Sequence, residues 1–172
     1  MKIKNFLISG LPQCGKTTLI KEVVSQLDIE KKGFFTEEIR ENGERTGFKI
    51  VTLSGKQVIL AHRNFASPYR VSRYAVSISN LENVAVKEIE QGLHGNFLIV
   101  IDEIGKMELF SEKFKETVIR AFDSKNRILG TILFKSNSFC DGIKKRNDTK
   151  LLLLTRENYC AVKQDLLQLL NQ

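Results

Sequence analysis

The chain has 172 residues, 42% hydrophobic and 27% charged, the balance of a globular domain large enough to bury its own core. No apolar run approaches the roughly 20 residues that cross a bilayer, and Met1 to Ser9 is too short for a secretory leader, so a cytoplasmic protein without a membrane anchor is expected. A net charge of +7 favours anionic partners, but the basic residues are scattered (Lys144-Lys145-Arg146 is the densest group) and no nucleic-acid motif accompanies them.

The first apolar run, Ile3 to Ile8, reads as a buried strand, and the amphipathic stretch Thr18 to Leu27 as the helix that follows it. Between them lies Gly10-Leu-Pro-Gln-Cys-Gly-Lys16-Thr17, which matches Gly-x-x-x-x-Gly-Lys-[Ser/Thr] in the strand–loop–helix setting that a phosphate-gripping P-loop requires. Gly10 and Gly15 let the backbone curl so that its amides point inward, and the helix N-terminus adds partial positive charge. Leu11, Pro12, Gln13 and Cys14 fill the variable positions, and Thr18 continues the loop into the helix. Lys16 has the reach for the β- and γ-phosphates, and the Thr17 hydroxyl suits a Mg²⁺ shell. A nucleoside triphosphate is the expected ligand. The three cysteines, Cys14, Cys140 and Cys160, lack metal spacing and read as free thiols in a reducing compartment.

Residues 33 to 61 change period. Phe34 to Ile39, Thr46 to Leu53 and Gln57 to Ala61 read as three strands, separated by Asn42-Gly43 and Ser54-Gly55 turns, and so as an antiparallel β-meander inserted between P-loop elements. Asn64 to Ser72 reads as irregular, and Leu81 to Leu93 as a helix. Phe97-Leu-Ile-Val-Ile101 is apolar enough for a central parallel strand buried on both faces, ending at Asp102-Glu103. Ser111 to Phe122 follows as a helix with Ser111 as N-cap. Strand Arg127 to Phe134, helix Ser138 to Lys145, strand Lys150 to Thr155 and helix Asn158 to Leu170 complete the alternation. The pattern predicts one domain over residues 1–172, a three-layer α/β/α sandwich around a mainly parallel sheet.

Asp102 and Glu103 close the chemical argument in the manner of a Walker B segment. Asp102 is placed to hold Mg²⁺ beside Thr17, and Glu103, one residue on, to orient and deprotonate a water facing the γ-phosphate. Lys16 and Glu103 are therefore the catalytic pair. Positive charge on the γ-oxygens is also expected, with Arg40, Arg70, Arg73 and Lys106 as the available cations. Arg156, after the last strand, is suited to stack on a base.

At this point the chain resembles a family. Asp102-Glu-Ile-Gly-Lys-Met-Glu-Leu109 is similar to the signature of the THEP-type nucleoside triphosphatases, the cancer-related NTPase family. Gly33-Phe-Phe-Thr-Glu-Glu-Ile-Arg40, Gly47-Phe-Lys-Ile-Val-Thr-Leu53, Ser67-Pro-Tyr-Arg-Val71, Arg146-Asn-Asp148 and Leu154-Thr-Arg-Glu-Asn158 agree with it in order. The resemblance implies a RecA-like P-loop fold and Mg²⁺-dependent release of phosphate from ATP, GTP and other nucleoside triphosphates with loose base selectivity. One departure stands out. Gln13 occupies a position where the family loop carries glycine, and a positive φ there would carry strain. Two rival functions use the same residues: a kinase passing the γ-phosphoryl group to a small acceptor, and a nucleotide-dependent switch that binds nucleic acid or protein.

Overall fold

The computed structural model describes residues 2–171. One sheet of nine strands forms the middle layer, in the order β5-β6-β4-β3-β2-β7-β8-β1-β9. The strands are β1 Asn5–Ser9, β2 Lys31–Glu41, β3 Glu44–Thr52, β4 Gln57–His62, β5 Arg70–Val71, β6 Tyr74–Val76, β7 Leu98–Ile104, β8 Arg127–Ile132 and β9 Thr149–Leu153. Strands β2, β7, β8, β1 and β9 run parallel, and β3, β4, β6 and β5 continue the sheet antiparallel. β8 lies between the P-loop strand β1 and the acidic strand β7, as expected of a RecA-like sheet.

The sheet is mixed, a parallel row of five strands continued by the expected antiparallel meander. β2 pairs parallel with β7 through Lys31 to Phe34, and antiparallel with β3 from Phe34 onward. One long strand serves both halves. The stretch read as irregular also contributes: Arg70–Val71 pairs with Tyr74–Val76, which the short spacing of its apolar residues concealed.

Helices cover both faces. α1 (Lys16–Gln26) and α6 (Tyr159–Leu170) pack on one side, where Leu19, Ile20, Val23, Val162 and Leu166 meet Phe6, Ile8 and Val100. On the other side lie α2 (Ile78–Asn80), a π-helical segment Leu81–Val86, α3 (Lys87–Leu93), α4 (Glu112–Asp123) and α5 (Ser138–Lys144). α4 buries Phe114, Thr117, Val118, Ala121 and Phe122, the i, i+3, i+4, i+7, i+8 face of an amphipathic helix. Ser111 caps it as expected, accepting from the Phe114 amide at 3.0 Å. Among the described residues no helix is long and apolar enough to cross a membrane.

Boundaries moved at both ends of the active-site strands. β1 starts at Asn5, with Ile3 exposed, and β8 stops at Ile132, two residues before Phe134. β7 runs one residue beyond Asp102-Glu103, to Ile104, with an irregularity at that point. Ile101 faces Gly130 and Ile104 faces Ile132, so three residues of β7 oppose two of β8. This bulge lets Ile101 and Ile104, an odd number apart, enter the same hydrophobic cluster, and it re-aims the two acidic residues between them.

Candidate functional site

The carboxyl ends of β1, β2, β7 and β8 open onto a cleft of about 850 Å³. Its floor is the loop after β1. Gly10 presses against the end of β9, where the Leu154 carbonyl lies 2.5 Å from the position a Cβ would take. At Gly15 the chain is left-handed, with φ 99°, and α1 begins at Lys16. The first intrahelical bond of α1 runs from Leu19 N–H to Gly15 C=O at 2.9 Å, so the amides ahead of it have no helical acceptor. These free donors at a positive helix end are what a phosphate chain needs. Gln13 adopts φ 62°, the left-handed conformation its side chain disfavours.

Lys16 Nζ donates to the carbonyls of Gly10 at 3.0 Å and Leu11 at 2.9 Å, folded back on its own loop. Thr17 Oγ1 donates to Asp102 Oδ2 at 2.8 Å, joining the P-loop helix to the acidic strand. Two threonines that the sequence reading did not single out complete this hold. Thr131 Oγ1 on β8 donates to Asp102 Oδ1 at 2.6 Å, and Thr36 Oγ1 on β2 donates to the Asp102 carbonyl at 2.6 Å. Asp102 is buried, and burial pushes its carboxyl up against the opposing pull of the Thr131 and Thr17 bonds.

Glu103 is half-buried and lies across Gly105, where an added Cβ would sit 2.9 Å from its Cδ and 3.0 Å from Oε1. Only a residue without a side chain leaves that carboxyl its place. The Asp102–Glu103 peptide is cis. Glu108, carried on a 3₁₀ turn at Glu108–Phe110, is buried and lines the same cleft. Desolvation, then the charge of Asp102, raises Glu103; desolvation, then the charge of Glu103, raises Glu108 well above the ordinary glutamate value of 4.5. The β7 end therefore gathers three acids, with Lys16 as a counter-charge to Asp102 and Glu103.

A stability consequence follows for Glu108. A carboxyl raised on folding lends its stability below its unfolded value and loses it as pH rises through the folded one. In nucleotide- and metal-free protein, Glu108→Gln should therefore raise the melting temperature at pH 8. That gain should shrink as pH falls into the ordinary carboxyl range. A difference in melting temperature that stays constant from pH 8 to pH 4 would remove Glu108 from the buried acidic group.

The cleft is lined by Gly10, Leu11, Pro12, Gln13, Gly15, Lys16, Thr17 and Thr18 on the floor, and by Asp102, Glu103 and Lys106 on the acidic side. Cys14 packs beneath the loop, its Sγ 3.9 Å from Lys16 Nζ. The other expected cations sit elsewhere. Arg40 is held at the exposed hairpin by Glu38 Oε2 and the Gly43 carbonyl. Arg73 binds Glu44 at 2.8 Å, and Arg70 donates to the Arg73 carbonyl at 2.9 Å, both on the surface. Arg156 is exposed on the loop joining β9 to α6 and does not line the cleft. Asn158, at the start of α6, makes no side-chain cap bond to that helix: it accepts from Thr155 N–H and donates to the Leu153 carbonyl, each at 2.8 Å. Lining residues that sequence spacing did not flag are Arg45, Phe48 and Val71 from the antiparallel side of the sheet, and Phe134 and Lys135 just after β8.

Comparison with known proteins bears on this cleft. A family model described as NTPase matches residues 5–167. The nucleoside-triphosphatase THEP1 of Thermotoga sp. (strain RQ2) is 46% identical over 164 residues, 95% of this chain and 94% of that protein. The human cancer-related nucleoside-triphosphatase is 36% identical over 171 residues, with 90% of each chain covered. The crystal structure of THEP1 from Aquifex aeolicus superimposes with a TM-score of 0.90 at 35% identity, covering 98% of this chain and 99% of that one.

Proposed function

The chain belongs to the NTPase family, and on that footing we propose that its cleft binds a nucleoside triphosphate and hydrolyses it to the diphosphate and orthophosphate. The observation that carries this reading is the 2.8 Å bond between Thr17 and Asp102, which sets a P-loop against an acidic strand end with Glu103 beside it. ATP and GTP are both substrates, with loose base choice, because the loop amides and Lys16 hold the phosphate chain that every nucleoside triphosphate shares. Residues 1–172 act as one P-loop domain, with the 33–61 meander as its second wall. Cys14, Cys140 and Cys160 are free thiols, which suit a reducing cytoplasm, and burial pushes the Cys140 thiol up to about 11, which makes it unreactive.

Mg²⁺ fits the donors present. The Thr17 hydroxyl and Asp102 carboxylate are hard oxygen ligands, and the described residues contain no cluster of three or more His, Cys, Asp or Glu that would cage a metal by itself. A small cation held mainly by phosphates and water needs no more than this. When bound, Mg²⁺ neutralises charge across the β- and γ-phosphates.

The chain's own residues do the rest. Lys16 leaves the Gly10 and Leu11 carbonyls and, with the loop amides, takes the phosphate oxygens. Thr17, Thr36 and Thr131 keep Asp102 fixed. Glu103, its basicity raised by burial, accepts a proton from the water whose oxygen bonds to the γ-phosphorus, while the bond from that phosphorus to the β–γ bridging oxygen breaks. The test uses γ-labelled ATP and GTP, with and without Mg²⁺ and with nucleosides, nucleotides and oligonucleotide ends as acceptors. Label should appear as orthophosphate, only with Mg²⁺, at a rate the acceptors leave unchanged. Label recovered in an acceptor would make the protein a kinase.

A further inference from the structure

The wall opposite the P-loop carries a cation set for a ligand. Arg45, at the start of β3, lines the cleft. Its guanidinium stacks over the rings of Phe48, with 5.1 Å to the centroid, and Tyr74, with 5.6 Å. Nε donates to Tyr74 Oη at 3.1 Å and Nη1 to Glu38 Oε1 at 2.7 Å. Nη2 has no acceptor among the described residues. The stacking and the two bonds fix the plane of the group, so Nη2 stays available at little entropic cost.

Charge points the same way. Glu38 is shared: its Oε1 takes Arg45, and its Oε2 takes Arg40 at 2.7 and 2.9 Å. Two guanidinium groups share this one carboxylate, so Glu38 does not neutralise Arg45 alone, and both arginines hold the Glu38 carboxyl below the usual range. The wall is also tied to the chemistry. Glu38 lies two residues beyond Thr36 on β2, on the same side of the strand, and Thr36 grips Asp102. Glu38, which holds the Arg45 guanidinium, is therefore about one strand repeat along β2 from the residue that grips the acidic end.

We propose that Arg45 is a catalytic residue of this site, supplied by the chain itself: its free Nη2 donates to an equatorial oxygen of the γ-phosphate from the side facing Lys16. The proposal rests on the nucleotide reading above. It explains why none of the more conspicuous cations, Arg40, Arg70 or Arg73, lines the cleft: they brace the rim, with Arg73 Nη2 donating to the Arg45 carbonyl at 3.1 Å. A guanidinium so placed meets charge that builds on the γ-oxygens as the bridging bond breaks.

The test pairs turnover with binding. Arg45→Gln should lower kcat for ATP by about 100-fold or more, with KM changed far less. In calorimetry it should erase most of the preference for a non-hydrolysable triphosphate over ADP while leaving ADP affinity near wild type. A bracing role would leave that preference intact. Arg45→Lys, which keeps the charge but not the stacked planar group, covers the case in which the glutamine variant does not fold; it should lose about tenfold in kcat, because an ammonium is not held in place by Phe48 and Tyr74 as the guanidinium is. Added guanidinium should restore part of the glutamine variant's rate. Wild-type kcat and triphosphate preference in either variant would overturn the assignment. The binding arm separates the two readings: wild-type protein that binds neither nucleotide would sink the nucleotide site itself, whereas intact preference in a variant sinks Arg45 alone.

Discussion

Glu103→Gln should release phosphate about 10²- to 10⁴-fold more slowly than wild type while binding a non-hydrolysable triphosphate as well as before. The substitution keeps the volume and the hydrogen-bonding reach of the side chain, so its place across Gly105 survives. What goes is the proton acceptor. Glu103 is suited to that task because burial and the neighbouring Asp102 charge both raise its affinity for a proton, bringing it toward the pH at which the enzyme works. The effect therefore belongs to kcat. Single-turnover phosphate release with saturating ATP measures it directly, and calorimetry with the non-hydrolysable analogue measures the binding. Unchanged release with binding intact would take Glu103 out of the reaction and hand the role of base to another group of the acidic cluster, Glu108 being the nearest candidate on the cleft wall.

Lys16→Ala should abolish turnover through loss of the substrate itself. Its ammonium faces the loop floor, and a charge-assisted hydrogen bond contributes about 1.5–3 kcal/mol, so losing its contacts to two phosphates should weaken triphosphate binding by about 100-fold or more. Without nucleotide, Lys16 bonds the Gly10 and Leu11 carbonyls, and both of these groups become unpaired in the variant. Since the loop is open to water, the melting temperature should fall by only a few degrees. Calorimetry and a thermal melt on the same preparation keep these effects apart. A variant that binds triphosphate normally would show that the amides alone hold the phosphates.

The P-loop and the acidic pair were legible because each is local. A Gly-x-x-x-x-Gly-Lys-Thr run between an apolar run and an amphipathic stretch leaves the backbone few alternatives, and Gln13 takes the positive φ that its place in the loop demands. The helices were legible for the same reason, as the spacing of Phe114, Val118 and Phe122 illustrates. What stayed hidden depends on pairing between distant segments. Thr131 interrupts an apolar run and Thr36 follows two phenylalanines, but nothing nearby says that both turn to Asp102. Arg45 follows five other charged residues between Glu37 and Glu44, and only the fold of the hairpin separates Glu37, Glu38 and Arg45, which line the cleft, from Arg40, Glu41 and Glu44, which do not. The bulge at Asp102 was invisible too, because it answers to the register of β8 and not to its own neighbours.

β2 has a further consequence for anyone wishing to simplify the protein. Its first residues complete the parallel row beside β7, and its later ones carry the hairpin. Cutting out residues 33–61 as a removable module would strip β7 of part of its flanking strand, expose its backbone donors and acceptors, and take Thr36 away from Asp102 with the same stroke. The hairpin tip at Asn42-Gly43, beyond both halves, is where a shortening or a graft leaves the architecture whole.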